Sequence, residues 1–371
     1  MTLDVITMSK NQVVFGTYET IHSEIQDEDR KLVINLPSNY EKSSETYPVL
    51  YLLGANYEPF FVNSASMIEY MGGAGLLPNM IVVGINDTKY FRDMFPKKLE
   101  QRPDDTGGSD SFLEFIEKEL KPYINEKYRT NGYDILYGAS NAGMLTVYAL
   151  LAKPILFNAY ISSSPMLGWF PDYFPEIAEQ LFSEQDLIDK FLYMIYGKDD
   201  YDRVIEEIPK FVSALEKHAP KDFVWHSVIL ETEGHVPYTS LYSGLRELFP
   251  KWRVSDKEVT SMGLDGLENY YKKLTKKYGF NVKIPEDVLI TLGFEYYREE
   301  KMDDALATMK FAIEEYPASD EVYGFLGSLH HRNNDPEQAK KYLTKALELN
   351  PENLRAQEML KKIESFEESV E

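Results

Sequence analysis

The sequence contains no cysteine. That excludes a disulfide framework, thiolate catalysis and any Cys-ligated metal, and it leaves the redox compartment unread. Histidine is scarce, with six among 371 residues, so the search for a general base is confined to a handful of positions. Basic residues are outnumbered: 39 Lys and Arg against 61 Asp and Glu give a formal charge of −22. Nucleic-acid phosphate or an anionic membrane would be repelled by such a chain, and neither is expected as a partner. No apolar run approaches the length of a membrane span. The opening stretch MTLDVITMSKNQVVFG has neither the basic start nor the apolar centre of a signal peptide. The expectation is a cytoplasmic protein, or a periplasmic one if a leader has been removed.

What is present can fill a sizeable core: 43% of residues are apolar and 13% aromatic, enough for two domains in a chain of this length. Up to residue 252 the text alternates between strand-like and helix-like segments. Residues 13–25 and 30–36 read as two antiparallel strands around an acidic turn at 26–29. YPVLYLL at 47–53 and MIVVGI at 80–85 are continuous apolar runs, the mark of strands buried on both faces. Further strands are expected at 159–163, 191–196 and 223–230. Helices are expected at 65–70, from Ser109 or Asp110 as cap to a stop at Pro122, and at 142–152. Strands alternating with helices over some 250 residues predict an α/β class with a mostly parallel sheet and helices on both faces.

After Trp252 the text turns charged and helical. Leu292-Gly293, Ala305, Ala312 and Pro317 return as Leu326-Gly327, Ala339, Ala346 and Pro351, a spacing of 34 that is the tetratricopeptide period. The expected organisation is therefore residues 1–255 as the α/β domain, 256–285 as a helical linker, and 286–371 as two tetratricopeptide repeats with a capping helix at 354–363. His330 stands where a tyrosine is usual in such a repeat.

The chemistry converges on YDILYGASNAGML, residues 133–145. An apolar strand, a small-residue turn and an apolar helix put Ser140 on a sharp strand-to-helix corner, with Gly138 and Gly143 giving the two elements room. This is the nucleophile elbow of an α/β-hydrolase, except that Ala142 occupies the position two after the serine. A phosphate loop is a poorer match, because Met144-Leu145-Thr146 stand where Gly-Lys-Ser/Thr is needed. An activated serine requires a base and an orienting acid, in the chain order serine, acid, histidine. His235 alone among the histidines lies in a turn after a late strand. The acid falls on the loop Gly197-Lys198-Asp199-Asp200, with Asp200 as first choice and Asp199 as second. The oxyanion hole is expected from the N–H of Asn141 and from Ala55 or Asn56 in the loop after YPVLYLL. No cofactor or metal is expected, since no histidine pair has ligand spacing and the acidic run at 199–202 lacks the glycine and glutamate of a calcium loop. Phe60, Phe61, Tyr90, Trp169 and Phe170 follow strand ends and are candidates to line an aromatic pocket or simply to pack the loops.

Several long stretches, YPVLYLLGANYEPFF, MIVVGIND with Phe91-Arg92-Asp93 and Pro96, the block from GGSDSFLEF to ISSSPMLGW, and SLYSGLRELF, resemble the esterases of the α/β-hydrolase superfamily that include the enterobactin and bacillibactin esterases. The resemblance runs over roughly residues 21–252, and some members of that group carry a tetratricopeptide tail. It implies a serine carboxylic-ester hydrolase with Ser140 as nucleophile and His235 as base, acting on siderophore lactones or on small acyl or aryl esters. The chain departs from the group at Ala142, at Gly54-Ala55 where relatives read Leu-Asp-Gly, and at Glu233, where relatives place the histidine found here at 235. These departures leave a second reading open: a catalytically degenerate hydrolase domain used as a scaffold, with the repeats binding a protein partner or a second copy of the chain.

Overall fold

The computed structural model describes residues 14–86, 89–185 and 189–368. The chain forms two compact units, Met1–Trp252 and Arg253–Glu371.

The first unit is built on one sheet of eight strands: β1 (Thr17–Ser23), β2 (Glu28–Asn35), β3 (Tyr47–Leu53), β4 (Ile81–Ile85), β5 (Thr130–Ala139), β6 (Ala159–Ser163), β7 (Phe191–Gly197) and β8 (Val224–Leu230). Their spatial order is β1-β2-β4-β3-β5-β6-β7-β8. β1 pairs antiparallel with β2 and β2 with β4, and every later pair is parallel. The central strands β3, β4, β6 and β7 are buried along their whole length, as their unbroken apolar sequences require. β6 shows why helices must cover both faces. Ser162 turns its hydroxyl to the Gly143 carbonyl of helix Asn141–Ala152. Ile161 and Ser163 face the other way, against Gly244 and Ser240 of helix Ser240–Leu248. This is the α/β-hydrolase arrangement.

Several sequence expectations need correction. β1 begins at Thr17, and Val13 lies outside the described residues, as does Asp87 of MIVVGIND and most of the opening stretch. The helix expected at 65–70 runs over Glu58–Gly73. Neither Ser109 nor Asp110 caps its helix: Gly108 is the cap, the Ser109 hydroxyl donates to the Asp93 carbonyl (2.9 Å), and Asp110 accepts from Tyr148 (2.7 Å). Nor does Pro122 end the segment. The α-helix Ser109–Phe115 passes through a π-turn at Ile116–Leu120 into a further α-helix, Lys121–Lys127. The wider turn accommodates a proline that has no N–H to give and whose ring would crowd the carbonyl four residues back. Helix Tyr173–Glu184 was not foreseen, although Phe174, Ala178, Leu181 and Phe182 recur at helical spacing and are buried.

The second unit is helical. Asp256–Tyr278 opens with a capping box of Ser255 and Glu258 and is broken at Gly263, whose φ of 63° and ψ of −177° leave the helical region. Its regular part therefore starts at Leu264. The repeats follow as helix pairs, Glu286–Arg298 with Met302–Glu315 and Asp320–Arg332 with Pro336–Leu349, and Leu354–Glu368 comes last. Gly327 lets the second pair approach: a Cβ there would sit 2.6 Å from Leu343 Cγ. His330 fits its usual aromatic position as a flat ring, stacked on Tyr342 with centroids 5.3 Å apart and paired through Nδ1 with Asp335 at 3.2 Å. No helix among the described residues is long and apolar enough to cross a membrane.

Candidate active site

β5 ends at Ala139 and the next helix starts at Asn141, so the whole change of direction falls on Ser140. Its φ of 60° and ψ of −121° lie where a residue with a side chain is strained. The corner is pinned from three sides. Ser140 N–H donates to the Ser163 carbonyl (2.9 Å), and its own carbonyl accepts from Met144 (3.0 Å) and Met166 (3.3 Å). The glycines on either side are sterically obligatory: a Cβ at 138 would lie 2.3 Å from the Ala142 carbonyl oxygen, and one at 143 would lie 2.8 Å from the Ser163 carbonyl oxygen. Close packing against β6 thus falls at Gly143. The methyl of Ala142 is buried without such a conflict, which accounts for the off-pattern alanine.

The structure brings Ser140, His235 and Asp200 into one line. His235 Nε2 is 2.9 Å from Ser140 Oγ, and His235 Nδ1 is 2.6 Å from Asp200 Oδ1. The Asp200 side chain is wholly buried and the imidazole 23% exposed. An ionised carboxylate can only accept, so Nδ1 carries the proton and Nε2 is left to accept from the serine hydroxyl. Tyr201 N–H also donates to Asp200 Oδ1 (2.7 Å), fixing the carboxylate as it leaves β7. Asp199 points elsewhere: it is exposed, and its N–H donates to the Glu233 carbonyl (3.3 Å). That bond ties the acid loop to the histidine loop and uses Glu233, which stands at the position of the relatives' histidine, as a backbone anchor.

The two proposed oxyanion amides differ from expectation in part. Asn141 N–H is at the first turn of its helix, where no carbonyl of the helix can reach it. Its side-chain amide oxygen accepts from Trp169 Nε1 (2.8 Å). Ala55 must be withdrawn as a donor, because its N–H is engaged by the Ile85 carbonyl across the sheet at 3.2 Å. Asn56, exposed and next in the chain, is left as the candidate on that loop.

Of the aromatic candidates, Phe61 is core, Phe60 packs on Tyr137, Tyr90 on Phe91, and Phe170 on Phe95. Trp169 is the one tied to the elbow, and the Arg203 guanidinium lies 4.3 Å from its ring centroid. Two neighbours were not singled out from sequence. Tyr201, 59% exposed, sets its ring against the imidazole, tilted by 50° with centroids 4.6 Å apart; its place directly after the acid was the available signal. Ser164 accepts the N–H of Val236 at 2.8 Å; nothing in the text marks it out from its serine neighbours.

The model of the family described as "Putative esterase" matches residues 23–200, and a tetratricopeptide-repeat model matches residues 296–363. Over those residues the first unit is similar to this esterase family. The match includes Ser140 and reaches Asp200 but stops short of His235. Over 143 residues the chain is 33% identical to the ferri-bacillibactin esterase of Bacillus subtilis, an alignment covering 33% of this chain and 49% of that protein. The chain thus spans about half the length of that curated esterase. An IroE-like serine hydrolase from Shewanella oneidensis superposes with a TM-score of 0.70 at 26% identity, over 81% of this chain and 99% of that one. An uncharacterised protein from Capnocytophaga ochracea shares the fold at 22% identity, with a TM-score of 0.63 over 89% of this chain and 93% of its own.

Proposed function

We propose that the protein is a serine carboxylic-ester hydrolase working through an acyl-enzyme. Ser140 Oγ attacks the ester carbonyl carbon while His235 Nε2 takes the hydroxyl proton. The oxyanion that forms is met by the N–H groups of Asn141 and Asn56. Collapse of the tetrahedral species breaks the bond to the alcohol oxygen, and His235 returns the proton to that leaving alcohol. Water then repeats the sequence on the acyl-serine, releasing the acid and restoring Ser140. Asp200 holds the Nδ1 proton throughout and stabilises the imidazolium. The observation that carries this reading is the continuous contact from Asp200 through His235 to Ser140, at 2.6 and 2.9 Å.

Similarity to the esterase family favours an ester substrate over a scaffold role. The ferri-bacillibactin esterase and a siderophore triacetylfusarinine C esterase of Aspergillus fumigatus, 38% identical over 65 residues, point to siderophore esters or lactones, with small acyl and aryl esters as the broader class. The tetratricopeptide helices are proposed to receive a protein partner or a second copy of the chain.

Turnover of a p-nitrophenyl ester and labelling by a fluorophosphonate probe test the reading. Ser140→Ala is expected to lower turnover by about a million-fold and to abolish labelling. A variant as active as the parent would overturn the serine mechanism, and a parent that neither turns over ester nor labels would leave the scaffold role.

A further inference from the structure

We infer that Ser164 is a positioning residue that sets the His235 imidazole against Ser140 by holding the next residue, Val236, in a strained backbone conformation; the inference rests on the ester-hydrolase reading above. Val236 has a φ of 58°. A β-branched residue seldom adopts a positive φ, because its Cβ substituents crowd the backbone, and such a conformation persists only where its surroundings impose it. The hydrogen bond made by this residue's own backbone is one of the contacts that hold it so: Val236 N–H donates to Ser164 Oγ at 2.8 Å. Ser164 is itself fixed. It is fully buried, its φ is 46°, and its N–H donates to the Ile195 carbonyl in β7 at 2.8 Å.

The neighbouring serine serves the same end of the sheet. The Ser163 carbonyl receives the Ser140 N–H at 2.9 Å. The Ser163 hydroxyl meets Ser240 Oγ at 2.7 Å, and Ser240 in turn donates to the Pro237 carbonyl at 2.5 Å. Consecutive residues at the end of β6 therefore grip the nucleophile corner and the histidine loop together. Ser163 holds Ser140 by the backbone, and Ser164 holds the residue bonded to His235. Without the Ser164 hydroxyl, Val236 gains by relaxing to a negative φ, and that rotation carries the attached imidazole away from the 2.9 Å contact. Glycine at 236 has no such preference, since it occupies positive φ about as readily as negative.

The test is a double-mutant cycle on the full chain, read by kcat and KM on a p-nitrophenyl ester, by the rate of fluorophosphonate labelling at Ser140, and by the thermal unfolding midpoint. Ser164→Ala is expected to lower kcat and the labelling rate by about 10- to 100-fold, the scale of one lost buried hydrogen bond, with KM nearly unchanged. Ser164→Gly, which suits a φ of 46° and so is the variant safest to fold, should lose activity likewise. In a Val236→Gly background the same Ser164→Ala change should cost much less, within a few-fold. A Ser164→Ala protein with parental kcat, or an equal loss in both backgrounds, overturns the inference while leaving the ester-hydrolase reading intact. A parent that neither turns over esters nor labels sinks that reading first.

Discussion

Asp200 and His235 meet at 2.6 Å with the carboxylate sealed from solvent, whereas Asp199, its neighbour in the chain, is exposed and contributes to the site through its backbone N–H. The sequence ranks Asp200 ahead of Asp199 by its place on the loop, and the turn after Gly197 separates them, with Asp200 N–H bonding back to the Gly197 carbonyl at 3.3 Å. Asp200→Asn keeps the shape but no longer dictates which imidazole nitrogen holds the proton. Its turnover is expected to fall about 10,000-fold. Asp199→Asn should stay close to the parent. Steady-state kinetics on a p-nitrophenyl ester decides the matter, and equal losses in the two variants would show that the acid has been misassigned.

Gly197 links β7 to the histidine loop by steric necessity. A Cβ there would lie 2.0 Å from the Glu233 carbonyl oxygen and 2.4 Å from that of Gly234, so neither backbone segment can stay in place beside an alanine. Gly197→Ala must push the loop that carries His235, and a shift near 1 Å can cost about 100-fold in rate. The expected outcome is a loss of ester turnover and of probe labelling larger than any loss of thermal stability. Parental labelling in Gly197→Ala would contradict the rigid coupling of these two loops.

The sequence revealed what local pattern determines. β3 and β6 were bounded to the residue because an unbroken apolar run between polar turns has one reading in a parallel sheet. The elbow and the position of His235 after the last strand followed from chemistry attached to those strands. What depends on contacts remote in sequence was not legible. The engagement of Ala55 by Ile85 is set by how β3 lies against β4. Pro122 was expected to end a helix because the rule assumes α geometry, and the π-turn before it escapes that rule. Ser164 is invisible for the same reason as the buried pair Arg30 and Asp93: the partner lies 72 or 63 residues away.

That buried pair anchors the antiparallel edge of the sheet. Arg30 and Asp93 side chains are wholly inaccessible and 2.7 Å apart, Glu28 adds a second contact to Arg30 at 2.6 Å, and Arg92 reaches Glu28 at 2.5 Å. Removing the central cation leaves the buried Asp93 and Glu28 carboxylates with Arg92 as their one remaining guanidinium partner and empties the space the Arg30 side chain filled, so Arg30→Ala is expected to cost about 3–5 kcal/mol in urea or thermal unfolding. A cost under about 1 kcal/mol would mean that water reaches the cluster after all.

Acid should loosen the same edge. Burial by itself pushes the Glu28 carboxyl up, but Arg92 and Arg30 more than reverse this and hold it below the ordinary glutamate range. Glu19 behaves alike: burial raises it, and hydrogen bonds from Lys127, Tyr128 and Tyr123 bring it net below. A carboxyl depressed on folding contributes stability that is full above its unfolded pKa, about 4.3 for glutamate, and is lost as pH falls through the folded value. Unfolding midpoints should therefore drop steeply below about pH 4.3, and Glu28→Gln should flatten that drop. An unchanged slope in the variant would remove Glu28 from the linkage.

The tetratricopeptide unit offers a separable test of packing. Ala339, Leu343, Ala346, Ala356 and Ile363 form one buried cluster, and Leu343 also fills the space left by the missing side chain of Gly327. Leu343→Ala opens a cavity in a repeat array whose stability is the sum of few interfaces, so a loss of about 2–5 kcal/mol is expected. Gly327→Ala attacks the contact from the other side, forcing a methyl to within 2.6 Å of Leu343 Cγ, and should destabilise through crowding. Placing both changes together should cost less than their sum, because the smaller side chain at 343 makes room for the methyl at 327. The three tryptophans, Trp169, Trp225 and Trp252, all lie in the first unit, so far-UV circular dichroism in urea, not tryptophan fluorescence, follows the repeats. Strict additivity of the two changes would show that the helices separate when either residue is altered.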